Sequence, residues 1–130
     1  MAKPRLIGTD LLGREIYDHA AGDWFGVPRH EVYWGPTVDA AACIGCGMCY
    51  VSCSGRVVYD WDVLANRPIV ARFDNCSPGC TTCANLCPAD AITFPAVATI
   101  RAVRDQHQVV AQARRKVAAL KSVAEAANDN

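Results

Sequence analysis

The longest regular pattern of apolar and polar positions lies near the carboxyl end. From Ile100 to Ala127 there is no glycine or proline, and Val103, Val110, Val117 and Ala124 recur every seven residues. Ala113, Leu120 and Ala127 fill the intervening positions, so one helix face reads as apolar, with Gln106 weakening the stripe. The spacing predicts a helix over Ile100–Ala127, with Thr99 as its N-cap. Arg101, Arg104, Arg114, Arg115, Lys116 and Lys121 make the rest of that helix basic.

Upstream the pattern breaks into short pieces. Val57-Val58-Tyr59-Asp60-Trp61 and Ile69-Val70-Ala71-Arg72-Phe73 have strand composition, with Asn66 and Pro68 marking the connection between them. Thr37–Asp39 and Ala91–Phe94 read as two further short strands, and Cys49–Cys53 as a helical turn. Ahead of these, residues 1–35 scatter Leu11, Leu12, Ile16, Tyr17, Trp24, Phe25, Val27, Tyr33 and Trp34 among Gly13, Gly22, Gly26 and Pro28. That mixture predicts an irregular wrap over a small core, or alternatively a docking lid for a partner. His19 and His30 read as surface residues, and Tyr59 and Trp61 as packing.

Composition narrows the class. The chain has 130 residues, enough for one small domain with extensions. Its 13 basic and 13 acidic side chains balance, but unevenly: residues 1–97 carry 7 basic against 10 acidic, and residues 98–130 carry 6 against 3. The neutral total and anionic body argue against nucleic acid as the partner of the basic helix. Met1–Leu12 is too short and polar for a signal peptide, and no stretch approaches the roughly 20 apolar residues of a membrane span. The expected setting is therefore soluble and cytoplasmic.

All eight cysteines lie between Cys43 and Cys87. The first run is C-I-G-C-G-M-C-Y-V-S-C, Cys43, Cys46, Cys49 and Cys53; the second is C-S-P-G-C-T-T-C-A-N-L-C-P, Cys76, Cys80, Cys83 and Cys87. Small residues between them (Gly45, Gly47, Ser77, Gly79, Thr81, Thr82) let the backbone wrap closely and aim amides at sulfur. Zinc generally needs only four ligands in two separated pairs, and a third and fourth cysteine follow closely in each run here. Four disulfides fit poorly with neighbours two or three residues apart. A haem site of the C-x-x-C-H kind is excluded, since no histidine follows any pair.

The two runs resemble the signature of bacterial two-cluster ferredoxins, C-x2-C-x2-C-x3-C-P, over about Val38 to Phe94. Ser54 stands in place of the first proline, and Ser77-Pro78-Gly79 makes the second run one residue longer. The resemblance implies an α+β, ferredoxin-like dicluster domain with pseudo-twofold symmetry over residues 36–97. An N-terminal extension (1–35) and a basic amphipathic C-terminal helix (98–130) flank it. It further implies two 4Fe–4S clusters with crossed ligation, because the fourth cysteine of each run serves the other cluster. One cluster would take Cys43, Cys46, Cys49 and Cys87; the other Cys76, Cys80, Cys83 and Cys53. Ile44, Met48, Val51 and Ile92 would be apolar cover around them.

The implied activity is one-electron transfer at low potential, without bond-making on a substrate; no phosphate-binding or dinucleotide motif points elsewhere. Partners would be a reductase and an oxidoreductase served by a diffusible carrier. The alternative is a fixed iron–sulfur subunit of a larger oxidoreductase. A redox or iron sensor is a third reading. The C-terminal helix could pack on its own domain, join a homo- or hetero-oligomer, or lie on an anionic membrane surface.

Overall fold

The computed structural model describes residues 3–128, and its first element is a hairpin where the sequence suggested irregular chain. Strand β1 (Arg5–Thr9) pairs antiparallel with β2 (Glu15–Asp18), and the register shifts between Leu6 and Gly8. Asp10 makes the turn: its Oδ1 accepts from the amides of Leu12 (3.0 Å) and Arg14 (2.8 Å). Gly13 then takes φ +80, which a side chain would resist. β1 is exposed along its whole length. It has no buried face to leave an alternating trace, so periodicity could not find it.

The rest of the extension is irregular, as expected, and it supplies core. Val27, Val32 and Trp34 are each 1% exposed. Trp34 stacks on Phe94 with ring centroids 5.3 Å apart. Arg14 lies over the Tyr50 ring (4.7 Å to its centroid), and buried Asn75 donates to the Tyr17 and Arg56 carbonyls. These ties hold hairpin and wrap on the central body.

That body interleaves its two halves. β3 (Thr37–Val38) leads into the first cysteine run and pairs antiparallel with β6 (Ile92–Thr93), which leaves the second. β4 (Tyr59–Asp62) pairs with β5 (Arg67–Val70) between the runs. Short helices α1 (Met48–Ser52) and α2 (Thr82–Leu86) carry Cys49 and Cys83. The strands are shorter than their composition suggested, and β5 starts early, so that Pro68, expected in the connection, pairs with Trp61 inside the strand. Val57 adopts φ +47, so β4 begins at Tyr59, and Phe73–Asn75 forms a 3-10 turn beyond β5. A β-branched residue is strained there. Val57 is held by its amide on the Cys53 carbonyl and by Arg72 Nε on its own carbonyl (2.6 Å).

The C-terminal helix is two helices, not one. α3 (Val97–Gln106) starts before Thr99, with Ala96 at its N-cap, and α4 (Val109–Asn128) follows a break where Gln108 takes φ +53. Val103 and Val109 are both buried. Six residues apart, they would point about 120° away from each other on one continuous helix. The break lets both face the core, and Val110 of the expected stripe stays exposed. α4 keeps contact through Gln112, beside Gly26, and Lys116, whose Nζ sits 5.4 Å from the Phe25 ring centroid. Residues 114–128 are otherwise exposed, including Val117, Leu120 and Val123. Among the described residues, no helix is long and apolar enough to cross a membrane.

Candidate functional site

The interleaved strands bring the eight thiols into two groups of four. Cys43, Cys46, Cys49 and Cys87 line one cavity with Val38, Ile44, Met48, Trp61, Pro68 and Ile92. Cys53, Cys76, Cys80 and Cys83 line a second with Pro36, Arg56, Val58, Tyr59, Thr82 and Phe94. Each cavity takes three cysteines from one run and the last cysteine of the other. The reason is local: α1 and α2 lie side by side, so the residue just past each helix end reaches across to the neighbouring loop. None of the eight is in a disulfide.

Loop backbone makes the wrapping possible. Gly45 (φ +72) lies so close to the β4–β5 turn that a Cβ would meet the Asn66 carbonyl oxygen at 2.5 Å. Asn66 Nδ2 also donates to the Gly45 carbonyl (3.3 Å). In the second loop, Ser77-Pro78-Gly79 closes as a turn with the Cys80 amide on the Ser77 carbonyl (2.9 Å), so the extra residue still delivers a thiol. Cys46 and Cys80 are exposed, while Cys49, Cys76 and Cys83 are buried. Of the expected apolar cover, Ile44, Met48 and Ile92 line the first cavity, whereas Val51 lines neither and points to solvent. His19 and His30 are exposed and away from both thiol groups.

Three polar residues tie the second loop in place, and sequence reasoning passed over them. Arg29 is buried and donates to the carbonyls of Cys76 (Nε 3.2 Å, Nη2 2.9 Å), Val32 (2.5 Å) and Trp34 (2.6 Å). Trp34 Nε1 donates to the Cys80 carbonyl (3.1 Å). Tyr59, 1% exposed, donates its hydroxyl to Cys83 Sγ at 3.2 Å. An arginine in an irregular extension carries no local signal; only its burial reveals it. Tyr59 had a signal, an aromatic in a strand close to cysteine, but packing explained that equally well.

The electrostatics ask for cations. Burial pushes the Cys49 thiol up to about 11, with the crowding of Cys83, Cys43 and Cys46 adding to it. Burial likewise pushes Cys76 up to about 12, against the small opposing pull of Arg29. Cys83 is also raised by burial, and the Tyr59 hydrogen bond works the other way. Four thiolates cannot gather in such a cavity unless positive charge comes with them. Among the described residues, no three of His, Cys, Asp and Glu come together around the position of a single ion. The thiols instead ring cavities of about 20 Å³ and about 180 Å³. An all-thiol donor set in each cavity fits a sulfur-bridged iron cluster, with apolar walls around the first and Arg56 and Thr82 among those of the second. In the narrower first cavity, seating one requires the exposed Ile44–Gly47 loop to ease outward.

No family model matches the chain, and no solved structure matches it.

Proposed function

We propose that this chain is an electron-transfer protein of the two-cluster ferredoxin kind, holding one 4Fe–4S cluster in each cysteine-lined cavity. One would be held by Cys43, Cys46, Cys49 and Cys87, the other by Cys53, Cys76, Cys80 and Cys83. The observation that carries this is the crossed grouping of the thiols, three from one run and one from the other in both cavities. When bound, each cluster supplies a centre that takes up and returns one electron. The protein's own residues do the rest. Ile92, Val58 and Tyr59 keep water from the buried cysteines, and the exposed Cys46 and Cys80 mark the closest approach for a partner. Cysteine-only ligation and an anionic body favour a low potential, and clusters built on reduced thiols suit a reducing, cytoplasmic setting. The role is one-electron carriage between a reductase and an oxidoreductase.

Anaerobic reconstitution with iron and sulfide tests the reading. About eight irons and eight sulfides per chain, with signals from two interacting reduced centres in electron paramagnetic resonance, is the expected result. Stoichiometric zinc in protein purified without oxygen, or four disulfides, would sink it. The crossing is tested by Cys87→Ser, which should disturb the hyperfine-shifted signals of Cys43, Cys46 and Cys49 and leave those of Cys76 and Cys80.

A second reading, a fixed subunit of a multisubunit oxidoreductase, is favoured by one observation. Residues 114–128 form a basic helix whose Val117, Leu120 and Val123 are each at least 60% exposed. A helix of that length is marginal alone in water, and such a face gains stability when covered. Anaerobic isolation from the native host, washed at low and then high salt, separates the two. A stoichiometric companion that survives high salt makes the chain a subunit; recovery alone makes it a carrier.

A further inference from the structure

The two cysteine-lined cavities differ in what their walls offer to negative charge. Around the second, two hydroxyls reach thiol sulfurs: Tyr59 Oη lies 3.2 Å from Cys83 Sγ, and Thr82 Oγ1 lies 3.6 Å from Cys80 Sγ. Arg56 lines that cavity with its Nη1 engaged by the Ala20 carbonyl, and the buried Arg29 guanidinium holds the Cys76 carbonyl. The first cavity is walled by Val38, Ile44, Met48, Trp61, Pro68 and Ile92. Backbone amides alone reach sulfurs there, that of Ala91 to Cys87 Sγ at 3.4 Å and that of Tyr50 to Cys49, and the latter is matched in the second cavity by Ala84 on Cys83. Arg67 stands near Gly45, but its Nη1 is engaged with the Asn66 carbonyl at 2.9 Å.

We propose that Tyr59 makes the two centres unequal, so that an electron entering the pair comes to rest at the one held by Cys53, Cys76, Cys80 and Cys83. This rests on the iron–sulfur reading above. One electron from a low-potential protein donor adds one negative charge to that centre; no bond is made or broken, and Tyr59 keeps its proton. A donor hydrogen bond to a ligand sulfur is worth more as charge on the sulfur grows, so it favours the reduced form. The burial of Tyr59 removes water as a competing partner and makes the bond specific to this site. Tyr59 is therefore a positioning residue for charge. The first centre, in its apolar walls, is left as the more strongly reducing of the two, and the exposed Cys46 is its outlet. The pair then has a built-in direction: reduction fills the second centre first, and only a strong donor fills both.

The test is potentiometry of the full reconstituted chain, with each step assigned through the hyperfine-shifted β-proton signals of its own cysteines. In the unaltered protein the step carrying the Cys76, Cys80 and Cys83 signals should come at the higher potential. Tyr59→Phe should disfavour that reduction by about tenfold, about 59 mV for one electron, and leave the other step in place. Thr82→Val, at an exposed site that tolerates change, should move the same step in the same direction by less. It carries the test if Tyr59→Phe does not fold. Two full clusters with the first centre reduced first would overturn the inference and leave the iron–sulfur reading intact. So would two full clusters with neither variant shifting the step that carries the Cys76, Cys80 and Cys83 signals. Failure of the unaltered chain to take up iron and sulfide would overturn both.

Discussion

Arg29→Met exposes how the extension holds the second cysteine loop. The substitution keeps most of the buried stem and removes the guanidinium, which is 6% exposed and donates to the carbonyls of Cys76, Val32 and Trp34. Three carbonyls then lose a charged donor in a place water reaches poorly. Each hydrogen bond to a charged group is worth about 1.5–3 kcal/mol, and an unsatisfied buried acceptor costs about 1–3 kcal/mol, but neighbours on one side chain do not add. Losing a buried charge also relieves its own desolvation, the force that lowers the Arg29 pKa. The Asp74 ion pair adds little, because that carboxylate is more than half exposed and 3.8 Å away. A net loss of about 3–4 kcal/mol follows. Urea denaturation of the as-purified chain, read by circular dichroism, has a slope of about 1–3 kcal/mol per molar for small proteins. The midpoint should therefore fall by about 1.5–2 M. Limited proteolysis should cut the region around residues 20–35 sooner in the variant. A midpoint unmoved within 0.3 M (roughly 0.6 kcal/mol at mid-range slope) would refute the claim that this arginine pins the loop.

Gly45→Ala should cost about 2 kcal/mol or more, because the left-handed backbone resists a side chain and the new Cβ meets the Asn66 carbonyl and amide. Iron retention in air should fall with it, read by loss of visible absorbance. Asp10 gives a pH dependence: removal from water pushes its pKa up, but hydrogen bonds from the Arg14 amide and guanidinium and the Leu12 amide outweigh this and hold it below 3.8. A lowered folded pKa stabilises above the unfolded value and loses that contribution as pH falls. Amide exchange in β1 and β2 should thus rise below about pH 4, and Asp10→Asn should flatten the change. Deleting residues 114–130 should leave the unfolding free energy within about 0.5 kcal/mol of the full chain, since residues 114–128 bury little. A drop of 2 kcal/mol would show that α4 is part of the fold's own support.

Much of the local organisation was written in single residues. The cysteine spacing marked the eight ligand candidates and their two runs, and β3, α1, β4 and β6 each fall on a stretch whose composition announced it, while β5 shares only Ile69 and Val70 with the expected strand. Such signals are short-range: a strand propensity, a glycine at a tight turn or a thiol at fixed spacing needs no knowledge of the rest of the chain. The basic helix was legible for the same reason. Its break at Gln108 was not, because two valines six residues apart demand it only when both must reach one core. The hairpin β1–β2 was missed because β1 is exposed throughout and β2 is half-buried at three successive residues, so neither strand alternates.

What only the tertiary structure decided is which groups meet. Crossed thiol grouping entered from the resemblance to two-run ferredoxins, and here it takes physical form through the pairing of β3 with β6 and the contact of α1 with α2. Arg29 finds Cys76 across 47 positions, and Tyr59 finds Cys83 across 24. Contacts at such separations carry no local pattern, since their energy comes from burial and from polar groups satisfied only once the chain has closed on itself.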